Sequence, residues 1–183
     1  MWHNIKTIFH LIIIFQCLFF SFYLLAQKND RRRNNIILTA FLLCIALTQI
    51  SGVFFHFLEL RNIIFSSSPQ LFYIDFPFRY LYMPVLFMYI LSVTKSDFRF
   101  KKVYLFHFIP FVFFCILVLY KFHLNSADTL REILETGNRF TSFESDIFYI
   151  LDNVQFYSYA IALLIILKKY RIEIKNVYST IEH

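Results

Sequence analysis

The chain is 183 residues long, 58% hydrophobic and 21% aromatic, with a mean hydropathy of +0.57, which is too apolar for an ordinary soluble domain. Its formal charge of +6 comes from 18 Lys and Arg against 12 Asp and Glu. These bases flank apolar stretches rather than lining one face, so they fit anchoring to anionic lipid better than a nucleic-acid surface.

Five apolar stretches follow one another: Thr7–Ala26, Ile36–Leu58, Phe76–Val93, Val103–Phe122 and Ile147–Leu167. Each is about 18–23 residues long, the length an α-helix needs to cross roughly 30 Å of hydrocarbon. Only helices or a closed barrel can satisfy the backbone there, and the runs lack the period-2 alternation of barrel strands. The expectation is an all-α integral membrane protein, one domain over 1–183, with five transmembrane helices. A cleaved signal peptide over 1–26 is the competing reading; Gln27-Lys28-Asn29-Asp30 offers no small-residue cleavage site.

The long connection His123–Asp146 contains Thr129-Leu130-Arg131-Glu132, a capping-box spacing, with Gly137 as a stop. Leu130, Ile133 and Leu134 share a face, which predicts a short amphipathic helix over Thr129–Thr136. It would lie on the outer membrane surface as an anchor, or as a lid over an outward pocket. A second capping box, Thr141-Ser142-Phe143-Glu144, opens the fifth helix. Neither Pro nor Gly occurs from Phe143 to Glu182, so that helix can run unbroken into a juxtamembrane segment over 168–183.

Charge sets the orientation. Gln27–Asn35, Thr94–Lys102 and the tail after the fifth span hold twelve of the 18 Lys and Arg, against Asp30, Asp97, Glu173 and Glu182. Retention of bases on the cytoplasmic side puts the N-terminus outside and the C-terminus inside.

Polar residues inside the spans recur in helical stripes. His3, Lys6 and His10 form one in the first span, and Gln49, Gly52, His56 and Glu59 one in the second. Asp75, Arg79 and Tyr82 mark the third; Asp152, Gln155 and Tyr159 mark the fifth. All reach inward from the outer boundary, so His10, Gln49, His56, Arg79, Tyr82, Asp152 and Gln155 form a candidate outward pocket. Interhelical hydrogen bonds, worth about 0.6 kcal/mol each, explain the same residues without a ligand. Asp152 would pair with Arg79 or Lys6, while Asp75 competes for Arg79 one turn away.

His10 and His56 lack the H-x-x-H spacing of metal ligands. No nucleophile–base pair, phosphate-binding glycine loop or facing heme histidines is present, so neither catalysis nor a cofactor is expected. Cys17, Cys44 and Cys115 sit mid-span and read as small apolar packing residues. Only Gly52 and Gly137 are glycine, against 26 Phe and 12 Tyr, which predicts loose helix packing without a G-x-x-x-G seam. No internal repeat is visible.

Three segments carry a family resemblance. Tyr80-Leu81-Tyr82-Met83-Pro84-Val85-Leu86-Phe87-Met88-Tyr89-Ile90 resembles the L-Y-G-P-L-L-Y-x-Y span of bacterial AraC-type transcription regulators with a membrane-embedded N-terminal half, Met83 standing where that pattern has glycine. His107-Phe108-Ile109-Pro110-Phe111 is similar to the H-F-x-P-F that opens their next span. Lys168 to Glu182 resembles the stretch preceding their DNA-binding region. The resemblance implies a sensor or signal-input module for a small-molecule or membrane-borne cue. Its partners would be the lipid bilayer, that cue, and DNA only through a helix-turn-helix domain absent from this chain; a homo-oligomer is left open. A small transporter component and a structural membrane subunit are the alternatives.

Overall fold

A computed structural model describes residues 2–27, 31–95, 97–136 and 142–181. Gly137, the side chain of His3 and the capping box that begins at Thr141 lie outside the described residues. Seven α-helices are present among them: α1 Trp2–Ala26, α2 Arg32–His56, α3 Leu58–Ser67, α4 Tyr82–Thr94, α5 Ile109–Val118, α6 Ala127–Thr136 and α7 Ser142–Ile181. No strand occurs among the described residues. Five helical segments are long and apolar enough to cross a membrane: Ile5–Ala26, Arg32–His56, Pro69–Thr94, Lys102–Phe122 and Asp146–Asn176. By length and composition they mark a multi-pass membrane protein, and their outward faces carry Phe9, Phe15, Phe22, Ile116, Ile161 and Leu164 in the open.

α1 and α2 form an antiparallel hairpin. Thr7, Cys17 and Ser21 are buried on α1, and Thr39, Cys44, Ala46, Ser51 and Val53 on α2. Hydroxyl, thiol and methyl side chains are small enough to bring two backbones together, so a close seam needs no glycine repeat. Cys17 and Cys44 serve as such small residues.

Three spans depart from the predicted continuous helices. α2 stops at His56; Phe57 is extended at φ −91°, ψ 103°, and Glu59 belongs to α3. This turn lets Leu60, Ile64 and Phe65 pack against Phe72 and Tyr73. The segment before α4 is two short 3-10 turns, Pro69–Tyr73 and Pro77–Tyr80, each with proline at its start. Proline lacks the N–H that an α-helix interior requires, so both turns break where the sequence places it. Pro110 likewise sits in the first turn of α5, after the 3-10 segment Lys102–Phe108.

α6 starts earlier than predicted and is capped by another residue. The Ser126 hydroxyl accepts from the Thr129 N–H at 3.2 Å, so Ser126 and not Thr129 opens the helix. Its apolar face is not laid on lipid. Leu130 is fully buried with Phe72, Tyr73, Val118 and Phe122, and Ile133 and Leu134 pack against the same cluster. Arg131 secures the contact by donating from Nε to the Phe65 carbonyl at 3.1 Å, and to the Ser66 carbonyl beside it. Those carbonyls end α3, where a helix leaves its acceptors unsatisfied.

The bundle has two distinct ends. At one, Arg33 donates to the Phe98 carbonyl at 2.6 Å and lies 5.4 Å over its ring. Phe98 packs with Met88, Leu91, Ile37 and Ile166, so the first and third connections meet there, beside the point where α7 leaves the bundle. At the other end sit α3, α6 and the Lys121–Glu144 ion pair at 2.5 Å. α7 runs without a break for 40 residues, about 60 Å at 1.5 Å per residue.

Candidate functional site

The end away from the basic connections holds an open cavity of about 1320 Å³. Six of the seven candidate residues line it: His10, Gln49, His56, Arg79, Tyr82 and Asp152. Gln155 lies behind the wall and donates from Nε2 to the Tyr80 carbonyl at 2.8 Å. That carbonyl is available because the residue four positions on, Pro84, has no N–H to donate to it. Irregular backbone at membrane depth persists only where protein buries it or it borders a cavity, and the Pro69–Tyr80 segment does both.

One wall comes from α1 and α2. His10 Nδ1 lies 2.8 Å from Gln49 Oε1, and its ring stacks on that of His56 with centroids 5.7 Å apart. The close approach is permitted by Gly52, where an added Cβ would stand 2.5 Å from the His10 ring. Among the described residues no group of three His, Cys, Asp or Glu is placed to hold a metal ion.

The facing wall comes from the 3-10 turns. Arg79 donates from Nε and a terminal nitrogen to Asp75 Oδ2 at 3.0 and 2.8 Å. Asp75 is 3% exposed, so its charge depends on this partner. Of the pairings left open by the sequence, the local one forms. Among the described residues neither a hydrogen bond nor an ion pair holds the Asp152 carboxylate, and Lys6 lies exposed outside the cavity lining. Arg79 and Asp152 line the same cavity.

These two carboxylates therefore differ in function within the fold. Asp75→Asn should lower thermal stability in detergent or nanodiscs by about 1–3 kcal/mol, since it strips a buried acceptor of the charge that holds Arg79. Asp152→Asn should cost under about 1 kcal/mol, because no partner is lost. Equal losses would show that Asp152 is held by a contact of the same kind.

No protein-family model, curated protein or solved structure matches this chain. The site must be read from its own chemistry.

Several lining residues were not anticipated from sequence: Arg61 on α3, Tyr73 and Tyr80 on the 3-10 turns, and Phe148, Tyr149 and Phe156 on α7. The last three carried a signal. They stand at i−4, i−3 and i+4 from Asp152, the positions that share its helical face. Tyr80 stacks on Phe114 at 3.6 Å, and its hydroxyl donates to the Phe148 carbonyl at 3.3 Å. His107 Nδ1 lies 2.7 Å from the Tyr159 hydroxyl, joining the fourth and fifth spans.

Proposed function

We propose that the chain is a membrane-embedded signal-input module, akin to the membrane half of AraC-type regulators, seated in a bacterial inner membrane. Its N-terminus and cavity face outward, and its basic connections and the tail of α7 face the cytoplasm. A small-molecule or membrane-borne cue enters the cavity and biases how α7 packs. The cue acts only in so far as it binds two helix arrangements unequally.

The observation that carries this reading is α7 itself. One uninterrupted helix brings Asp152 to the cavity and continues as the basic segment Lys168–Lys175 at the opposite end. Small displacements of a stiff helix are transmitted along its length. Segregation of the basic connections to one end supports the orientation.

Single-cysteine labelling tests it, in a background lacking Cys17, Cys44 and Cys115. An impermeant thiol reagent added to intact cells should label a cysteine at position 135 and leave those at 99 and 175 untouched. Labelling of 99 and 175 from outside, with 135 protected, would turn the cavity toward the cytoplasm and end the outside-in reading.

A further inference from the structure

The charges around the cavity do not balance pairwise. Arg79 is engaged by Asp75 at 2.8 Å, which leaves Asp152 as the acid without a salt-bridge partner among the described residues. Arg61, the remaining lining cation, stands on exposed α3, where water and salt screen it. An anionic carboxylate set beneath the membrane boundary and held in no ion pair is costly, and a cationic ligand would offset that cost.

The surroundings of Asp152 favour one kind of cation. Phe148, Tyr149 and Phe156 share its helical face, and Tyr80 and Tyr82 line the same cavity from the 3-10 turn before α4 and from the start of α4. Aromatic faces attract cations through the ring quadrupole, most effectively when water is excluded. A carboxylate among several aromatic rings selects a poorly hydrated ammonium over a metal ion, which would demand more oxygen ligands than this wall supplies. The apolar remainder of the cavity accommodates a carbon body attached to that ammonium.

We propose that the Asp152 end of the cavity binds an organic ammonium carried on an apolar body, with the carboxylate as counter-ion and the aromatic residues as its cage. This names the class of cue and rests on the reading of the cavity as an input site. The ammonium belongs either to a free amine or to the headgroup of a membrane lipid.

Calorimetric titration of the full chain with benzyltrimethylammonium, in nanodiscs made only of phosphatidylglycerol, tests the proposal. Saturable binding is expected, at least tenfold weaker in Asp152→Asn, largely retained in Asp152→Glu, and several-fold weaker in Tyr82→Leu, which keeps bulk but removes a ring. Adding phosphatidylcholine to the nanodiscs distinguishes the sources. Competition with the probe assigns the site to a lipid headgroup, and undiminished probe binding assigns it to a free amine. No saturable binding to the wild-type chain, or equal affinity in Asp152→Asn, overturns the proposal. Should Asp152→Asn fail to fold, unchanged affinity in Tyr82→Leu overturns it instead. Binding that leaves α7 unmoved would remove the signalling reading and keep this one, and movement of α7 without ammonium binding would do the reverse.

Discussion

Leu130→Ala should destabilise the protein by about 2–5 kcal/mol, the range for removing a fully buried leucine from a packed site that collapses only in part. Leu130 has no exposed surface and lies among Phe72, Tyr73, Val118 and Phe122. The stacked pair Tyr73–Phe122, with centroids 3.6 Å apart, leaves little freedom for the void to close. In thermal unfolding the midpoint should fall on the order of 10 °C. The control is Leu164→Ala on the outward face of α7, where the side chain is 68% exposed and exchanges lipid contact for lipid contact; its midpoint should move little. A similar small shift for both would mean that α6 rests on the bilayer surface and is not docked on the protein.

Gly52→Ala is the second large effect. The added methyl would meet the His10 ring at 2.5 to 2.8 Å, below any real carbon contact, so α1 must shift or the imidazole must leave Gln49. Overpacking of this kind costs about 1–3 kcal/mol. The clash is with a side chain, which makes it reversible by design. His10→Ala alone loses the 2.8 Å contact to Gln49 and should cost about 1 kcal/mol. Introduced into Gly52→Ala, it removes the obstacle and should restore part of the stability. A double mutant as unstable as the sum of the two singles would show that the residues do not meet.

Much of the architecture was legible because it follows from local rules. Five apolar lengths, alternating basic connections and the unbroken run after Phe143 determine the spans and the rod of α7. The stripes of His10, Gln49, His56, Arg79, Tyr82 and Asp152 place these residues at one depth, and the fold brings them around one cavity. What escaped depends on contacts distant in sequence or on competing local choices. Apolar composition reads the same in an α-helix and in a 3-10 turn, so Phe76–Val93 suggested a helix although Pro69 and Pro77 break its approach. Arg131 finds its acceptors at Phe65 and Ser66, some 66 residues earlier, and no spacing announces that. The face of Leu130, Ile133 and Leu134 was visible, but amphipathicity does not distinguish a lipid surface from a protein one. For Arg79, both Asp75 and Asp152 satisfied the sequence rules; the tight turn at 75–79 brings the first within 2.8 Å.

The account turns on mechanical coupling between the cavity and the far end of α7. Spin labels at positions 36 and 172, both exposed and near the basic end, report that coupling as an interlabel distance distribution in nanodiscs. The cavity is perturbed in two ways: Asp152→Asn removes its carboxyl group, and Thr48→Trp introduces a ring from the α2 wall. Each variant should shift or reweight the 36–172 distribution relative to the wild-type chain while the fold stays intact. Distributions that superimpose on wild type in both variants would contradict it, leaving a cavity that α7 borders but does not read.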